Sequence, residues 1–279
     1  MTKFCFEPIN WSPFLAGELA GERGGVSPDV PRLVRAAASA GFDCISFDSS
    51  LMESFTRGGA TLSDLRRLVE GEGLTVLAVH SIAIGEDVAA AREAALPLAE
   101  AASVFGARYV HVGGTAPLGP ALIEATNAAA RVCAEANAVL AVEFLPFLPI
   151  ASIADSRAMI AGAEAKGSGL VVDSWHFFHG PDDWPELAGI RAEEISYVQF
   201  DDHPPLASSD LLAETISRRV YPGRGVFDLE RFAMTISDSG FTGAVGLEHL
   251  SAADRVRPVE EVARELLEAS RGYWPTSRA

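Results

Sequence analysis

The chain has 279 residues, of which 48% are hydrophobic and 22% are charged, a composition typical of a folded globular protein with a large core. Its 38 acidic residues outnumber its 22 basic residues and give a formal net charge of -16, which disfavours binding to nucleic-acid phosphates. Lys3 and Lys166 are the only lysines, and this leaves little room for an enzyme that forms a Schiff base with its substrate.

Three widely spaced cysteines, Cys5, Cys44 and Cys133, form no CxxC pair, and we expect buried free thiols in a reducing compartment. Glu7 and Pro8 interrupt the apolar residues near the start, so the N-terminus lacks a signal-peptide core. No run of roughly 18 apolar residues is present, so no membrane span and no membrane partner are expected. These features predict a cytoplasmic protein.

Short apolar runs alternate with longer segments rich in alanine and leucine. Eight runs are almost continuously apolar, as strands buried on both faces are, and they cover residues 4–6, 44–47, 76–79, 109–112, 139–142, 170–172, 195–198 and 244–247. Helical patterns lie at 29–40, from 61 onward, and at 88–105, 119–137, 153–165, 227–239 and 258–271, with a short helix expected in 181–189. The predicted boundaries are marked by Gly41, Gly73, Gly106, Asn137, Gly169, Gly240 and Gly243.

Eight strand-then-helix units predict an α/β protein with a (β/α)8 TIM barrel, forming a single domain over residues 1–279. The main rival is an open doubly wound sheet, which needs a glycine-rich phosphate loop after the first strand. Residues 7–11 read Glu-Pro-Ile-Asn-Trp instead. One irregular interval, residues 201–226, is long enough to indicate a functional loop.

Polar residues follow the apolar runs, at the strand ends where such barrels carry their active sites. From the third run onward these residues are His80, His111, Glu143, Asp173, Gln199 and Glu248. Three carboxylates buried around one axis would each cost several kcal/mol without a cation. The pattern therefore predicts one divalent metal ion, Mn²⁺, Mg²⁺, Co²⁺ or Zn²⁺, and the oxygen-rich donors favour the harder ions.

This pattern resembles the xylose isomerase-like TIM barrels, a superfamily that includes the AP endonuclease type 2 proteins and many sugar phosphate isomerases and epimerases. The resemblance covers essentially the whole chain. It also extends to the Asp-x-x-His of Asp173 and His176 and to the loop at 218–225, which reads Arg-Arg-Val-Tyr-Pro-Gly-Arg-Gly. It implies that the metal ligands are Glu143, Asp173, Gln199 and Glu248.

The seventh strand departs from many epimerase-like members, which carry His-x-His where this chain has Tyr197-Val198-Gln199. A glutamine there is similar to 3-dehydroshikimate dehydratase, which also shares the Asp-x-x-His and a downstream arginine. Either Gln199 or His203 completes the metal site. We favour Gln199, because His203 lies four residues further along and is expected to have left the barrel axis.

Two reactions fit these residues. The first is the isomerisation or epimerisation of a sugar, a sugar phosphate or a cyclic keto-polyol, by proton abstraction alpha to a metal-bound carbonyl and through an enediolate. The resemblance to the epimerases implies that Glu143 and Glu248 are the acid–base groups, on opposite faces of the substrate. The second is a dehydratase, a carbon–oxygen lyase that uses the same enolate and loses a β-hydroxyl protonated by His176 or His80.

The densest basic cluster of this acidic chain is formed by Arg218, Arg219 and Arg224. Arginine binds carboxylate or phosphate through two parallel N–H donors, although these arginines can instead pair with surface acids such as Glu214. Tryptophans near the strand ends can wall a sugar pocket or pack in the core. The predicted substrate contacts are His111, Arg218, Arg219, Trp11 and Trp175.

Two other functions are disfavoured. The endonucleases of the resembled superfamily need three zinc ions and an Asp-x-His after the seventh strand, where residues 217–219 here read Ser-Arg-Arg. A non-catalytic ligand-binding barrel predicts the loss of an acidic ligand, and none is lost. The expected partner is a small hydroxy-ketone, sugar or cyclic polyol, and the resemblance implies a homo-oligomer.

Overall fold

Eight parallel strands close into a barrel in the computed structural model, which describes residues 2–15, 29–161 and 168–274. Each strand pairs with the next along the chain, and β8 pairs with β1. The (β/α)8 TIM barrel predicted from the sequence is confirmed. The strands are β1 Lys3–Phe6, β2 Cys44–Asp48, β3 Thr75–Ile84, β4 Tyr109–Gly114, β5 Val139–Glu143, β6 Ser168–Asp173, β7 Ile195–Gln199 and β8 Ala244–Leu247.

Helices cover the outside of the barrel. They are α1 Val30–Ala40, α2 Ser49–Thr56, α3 Leu62–Gly71, α4 Val88–Phe105, α5 Pro120–Glu135, α6 Ile153–Ile160, α7 Ser174–His179, α8 Trp184–Ala188, α9 Leu211–Ser217, α10 Leu229–Asp238 and α11 Val259–Arg271. Within the described residues, no helix is both long enough and apolar enough to cross a membrane.

Local sequence signals set many of these helix ends. Asp29 caps α1 by accepting a hydrogen bond from the backbone N–H of Arg32, and Thr61 and Asp64 form a reciprocal capping box at the start of α3. Gly41 and Gly106 end α1 and α4 with φ of 92° and 67°, a left-handed conformation that glycine adopts at little cost.

Two predicted strand boundaries are wrong. β3 does not end at His80 but continues to Ile84, with a register shift in its pairing with β4 between Val79 and Ile82. Gly169 is not a turn residue, because it lies inside β6. A Cβ at Gly169 would come within 2.5 Å of a side-chain oxygen on β7, so this glycine permits close strand packing.

Three short helices were not predicted, namely α2, α7 and α9. Two of them begin directly after a strand, where an aspartate accepts backbone hydrogen bonds from the first turn: Asp48 caps α2 and Asp173 caps α7. Helix α9 falls in the interval 201–226, whereas the short helix predicted in 181–189 is α8. Of the predicted helix 153–165, residues Ile153–Ile160 form α6. Residues 162–165, like Lys166, lie outside the described residues.

The barrel interior contains a layer of small and aromatic side chains, apart from the main core between strands and helices. Two clusters make up this layer, Ala78, Tyr109, Ala141, Val171 and Tyr197, and Cys5, Cys44 and Ala244. Alternate residues of a strand point to the same face. Positions two residues further along these strands therefore point into the barrel above this floor, and several of them are the polar residues identified from the sequence.

Candidate active site

A group of buried polar side chains lies above this floor, at the C-terminal ends of the strands. Each member is at most 7% exposed. The sequence predicted all but the first of its members, which are Glu7, His80, His111, Glu143, Asp173, Gln199 and Glu248. Glu7 was missed, although its place two residues after the buried Cys5 is the signal that puts it on the interior face.

Glu143, the last residue of β5, lies between two histidines. Its Oε2 is 3.0 Å from Nε2 of His111, and its Oε1 is 3.4 Å from Nε2 of His176. Burial raises the pKa of Glu143, but the two imidazoles outweigh burial and hold this pKa below its usual value. Glu143 is therefore an ionised carboxylate at neutral pH, able to accept a proton.

Tyr197 on β7 extends this arrangement, since its Oη lies 2.6 Å from Nδ1 of His111. An ionised carboxylate only accepts hydrogen bonds, so Nε2–H of His111 donates to Glu143, and when the ring is neutral its Nδ1 accepts from Tyr197. Burial lowers the pKa of His111, but Glu143 outweighs burial and raises it overall. Tyr197 thus fixes the ring of a histidine that supports Glu143.

Arg219 reaches into the site from the loop after β7. Its NH1 contacts Asp201 and lies 3.0 Å from Oδ2 of Asp173 and 3.3 Å from Oε2 of Glu248. The side chain is 1% exposed and also donates to Thr215 Oγ1. The structure therefore brings Arg219 to the site, where its guanidinium bonds to buried acids.

Arg218 and Arg224 point to other partners. Arg218 pairs with Glu214 and donates to the backbone carbonyl of Pro205, while the guanidinium of Arg224 lies over the ring of Tyr221. The structure does not bring Arg218 into the buried cluster, and its contact with a substrate stays a prediction.

Glu248 follows β8 and has a different environment from Glu143. Burial raises the pKa of Glu248 to about 7, with Arg219 opposing this change and Glu143 and Asp173 adding to it. Near neutral pH its carboxyl group is therefore divided between the protonated and the ionised form.

Two further groups beside Glu248 also favour their neutral forms. Burial raises the pKa of Glu7 well above its usual value, and the charge of Glu248 raises it further. Burial lowers the pKa of His80 well below its usual value, and His111 adds to this effect. The ring centroids of His80 and His111 are 4.7 Å apart, and Nε2 of His80 makes no hydrogen bond.

Gln199, at the end of β7, donates from Nε2 to Oε2 of Glu7 over 2.6 Å, whereas its buried Oε1 has no hydrogen-bond partner among residues 2–15, 29–161 and 168–274. His203, the alternative metal ligand, lies elsewhere: its Nε2 is 3.5 Å from Glu214 and its ring packs edge-on against Trp175. The structure thus brings Gln199, and not His203, into the cluster.

The two predicted tryptophans differ in exposure. Trp175 is fully buried and packs edge-on against His176, so it supports the site from behind instead of forming an open wall. Trp11 is partly buried against the core, and its ring centre is 5.9 Å from that of Phe6. Phe147 lies with its ring centre 5.8 Å from that of His176.

Among the described residues, two groups of three side chains have the spacing of metal ligands, with their ligand atoms within 4.8 Å of one another. They are Glu143, Asp173 and His176, and Glu7, His80 and Glu248. Within the same residues, several buried atoms in this region have no hydrogen-bond partner, namely Glu143 Oε1, Gln199 Oε1, Glu7 Oε1 and His80 Nε2. Unsatisfied buried oxygens beside several carboxyl groups fit a divalent cation.

Comparison with protein families identifies the fold family. The family model described as "Xylose isomerase-like TIM barrel" matches residues 34–273. The chain belongs to this family. The resemblance predicted from the strand-end residues is confirmed.

Sequence relatives are similar over parts of the chain. A 3-dehydroshikimate dehydratase of Pseudomonas aeruginosa is 33% identical over 100 residues, which are 36% of this chain and 16% of that protein. An inosose isomerase of Bacillus licheniformis is 27% identical over 137 residues, 46% of this chain and 48% of that protein. The chain thus matches less than half of either relative.

Among solved structures, the IolI protein with a bound zinc atom superimposes with a TM-score of 0.80 at 16% identity, over 98% of both chains. At this identity the likeness shows the fold alone. The curated relatives are named as dehydratases and an isomerase.

Proposed function

We propose that this chain is a divalent-metal-dependent isomerase or epimerase of a sugar, a sugar phosphate or a cyclic keto-polyol. The observation that carries the proposal is the pair Glu143 and Glu248. These buried carboxyl groups lie in one barrel mouth, where two imidazoles hold Glu143 ionised and burial raises the pKa of Glu248 to about 7. Two carboxyl groups whose pKa values differ in this way suit a proton transfer between two sites on a substrate.

The proposed cation ligands are Glu143, Asp173, Gln199 and Glu248. Asp173 and Glu248 share a single guanidinium, that of Arg219, with Asp201, so negative charge remains uncompensated. Each carboxylate oxygen has a second lone pair, which allows contact with both Arg219 and a cation. The carboxylate and amide oxygens favour Mn²⁺ or Mg²⁺ over softer ions. The bound cation would polarise a substrate carbonyl and acidify the neighbouring C–H.

The side chains of this chain would then move the proton. Glu143 takes it from the carbon next to the carbonyl, and Glu248 returns one to the substrate. His111 and His176 stabilise the negative form of Glu143 before the transfer. Because these groups are buried, bulk water does not compete for the proton.

A small polyhydroxylated substrate fits the surroundings. The polar ring offers donors and acceptors on several strands, and the partly buried Trp11 and Phe147 offer apolar faces of the kind that pack on sugar rings. The inosose isomerase among the relatives supports a cyclic keto-polyol as one member of this class.

A dehydratase is the second candidate, favoured by Gln199 and by the relative named 3-dehydroshikimate dehydratase. This reaction shares the first proton abstraction and then expels a β-hydroxyl as water. The group that protonates the leaving hydroxyl would be His176 or His80, each of which has a buried ring nitrogen without a hydrogen-bond partner.

A hydrogen-exchange experiment tests the proposal and separates the two reactions. Purified protein with Mn²⁺ is incubated in D₂O with inosose, with ketohexoses and with 3-dehydroshikimate, and the products are followed by ¹H NMR and near-ultraviolet absorbance. Deuterium at the carbon next to the carbonyl, with a new epimer or isomer, supports the isomerase. An aromatic product from 3-dehydroshikimate supports the dehydratase instead.

The matched control is Arg66→Ala, which changes an exposed ion pair with Glu70 on α3 and should retain activity. Glu143→Gln should abolish exchange. Full turnover by protein stripped of metal with a chelator would rule out both reactions as proposed.

A further inference from the structure

Glu7 is a buried acid that the proposed chemistry does not use. It directly follows β1, is 2% exposed, and bonds through Oε2 to the amide nitrogen of Gln199, 2.6 Å away. Its other oxygen, Oε1, has no hydrogen-bond partner in the part of the chain that the structure describes. A buried carboxyl group with one bond and a neighbouring acid, Glu248, is costly to keep, so its position needs a functional reason.

We propose that Glu7 is a positioning residue, which holds the side-chain amide of Gln199 with its oxygen directed to the divalent cation. This inference rests on the proposed function, since it assumes that a cation binds. It concerns Glu7, which is not among the proposed ligands.

The two ends of an amide group differ in chemistry but hardly in shape. The oxygen has lone pairs for a cation, whereas the NH₂ group offers only donors. Packing alone therefore does not decide which end faces the cation. An acceptor on one side decides it: Glu7 Oε2 accepts the N–H of Gln199, and it does so in the neutral carboxyl group too when the proton is on Glu7 Oε1. Oε1 of Gln199 is then the free end of the amide.

The neighbouring strand is adapted to this contact. Gln199 pairs in register with Gly246 on β8, and a Cβ at Gly246 would lie 2.1 Å from Oε1 of Glu7. The missing side chain on β8 thus provides the space that the Glu7 carboxyl group fills. Glu7 after β1, Gln199 on β7 and Gly246 on β8 thus fit together in shape. This fit indicates that the contact between Glu7 and Gln199 is specific.

A histidine ligand commonly needs a similar partner, because an outer group that bonds its second nitrogen fixes the ring, and losing that group typically costs roughly 10–100-fold in metal affinity. Gln199 stands where many epimerase-like members carry histidine. Glu7 would orient this amide in the way that a carboxylate orients a metal-binding imidazole.

The test measures Mn²⁺ affinity and stoichiometry by calorimetric titration, and the absorption spectrum of the Co²⁺ form. Glu7→Leu removes the acceptor and should weaken Mn²⁺ binding roughly 10–100-fold, with the number of bound ions unchanged. Glu7→Gln keeps an acceptor oxygen and should recover most of the affinity. The matched control is Asp48→Asn, a change at another buried strand-end carboxyl group, which should leave affinity unchanged.

A double-mutant cycle separates positioning from other effects of Glu7. If Glu7 acts through Gln199, Glu7→Leu has no further effect once Gln199→Leu is present. If Glu7 affects the cation by a route other than Gln199, the loss persists in that background and the proposal is wrong. Gly246→Ala keeps Glu7 but adds a methyl group where the Glu7 carboxyl group lies. Because the displaced carboxyl group no longer holds the Gln199 amide, this variant should also bind Mn²⁺ more weakly.

The remaining outcomes are equally decisive. The group Glu7, His80 and Glu248 has metal-ligand spacing, so a fall from two bound ions to one in Glu7→Leu would make Glu7 a direct ligand and overturn the positioning role. Equal affinity in the wild type and Glu7→Leu would also overturn it. No Mn²⁺ binding by the wild type would instead refute the proposed function itself.

Discussion

The glutamates on the two sides of the barrel mouth have pKa values that are shifted in opposite directions. Glu143 and Glu248 are each 7% exposed, so both lose most of their contact with water. On the Glu143 side, His111 and His176 lower the pKa of the carboxyl group. On the Glu248 side, the acids Glu143 and Asp173 add to burial, and Arg219 offsets this only in part. Neighbours, and not the degree of burial, decide the charge of each acid.

This difference would give the site its direction. A carboxylate kept ionised can accept a proton, and one with a pKa near 7 can donate one at physiological pH. Replacing either acid should remove this difference, whereas changing Arg218 should preserve it.

Replacing either acid with its amide should have the largest effect. Glu143→Gln and Glu248→Gln each remove one proton carrier and one proposed ligand, so we expect turnover to fall at least about 10²–10⁴-fold. The measurement is the rate of deuterium exchange at saturating Mn²⁺. If one variant kept near-normal exchange, the corresponding side would have no acid–base role.

The stability of metal-free protein should depend on pH through Glu248. Its pKa is raised from 4.5 to about 7 in the folded state, so the stability it contributes is complete below about pH 4.5 and is lost as pH rises to about 7. This shift corresponds to roughly 3 kcal/mol. Glu143 behaves oppositely, because its lowered pKa means that its contribution is lost only in acid.

Urea unfolding of chelator-treated protein between pH 5 and 8 measures this effect. The free energy of unfolding of the wild type should fall over this range relative to that of Glu248→Gln. Parallel curves for the two proteins would mean that burial does not raise the pKa of Glu248.

Tyr197→Phe should weaken only the Glu143 side. It removes the hydroxyl 2.6 Å from His111 Nδ1, so the imidazole is free to change tautomer and no longer reliably donates to Glu143. We expect turnover to fall roughly tenfold, as for loss of an orienting partner, with Mn²⁺ affinity nearly unchanged. A large loss of Mn²⁺ affinity, and not of turnover, would contradict this role.

Arg218→Ala should have the smallest effect. Its partner Glu214 is buried but also accepts hydrogen bonds from the backbone N–H groups of Ala207 and Ser208, and the pair lies outside the buried cluster, so Mn²⁺ affinity should not change. The Michaelis constant for an anionic substrate gives the check: a tenfold rise would restore Arg218 as the substrate contact predicted from the sequence.

Much of the site was predictable because a strand repeats every two residues. Glu143 lies two residues after the buried Ala141, and Gln199 lies two after Tyr197, so apolar runs followed by polar residues were enough to place them on one face. Glu7 obeys the same rule. It was missed because β1 is short and Glu7 reads as the start of a loop.

The contacts of the arginines and histidines were less predictable. Adjacent in sequence, Arg218 and Arg219 differ completely in burial, and only the path of the loop after β7 separates them. Helix α7 was also missed: its six residues are too few for a helical repeat, and it depends on the cap supplied by Asp173.

The sequence by itself determined the barrel, the order of its strands and the residues that face its mouth, because hydrophobic periodicity records which side of each strand is buried. Only the tertiary structure decided which of these residues touch. Tyr197 meets His111 and Gln199 meets Glu7 across separations of 86 and 192 residues, which closure of the barrel brings to hydrogen-bond distance. Those contacts set the charge of each acid, because an electrostatic interaction depends on distance in space and not on distance along the chain.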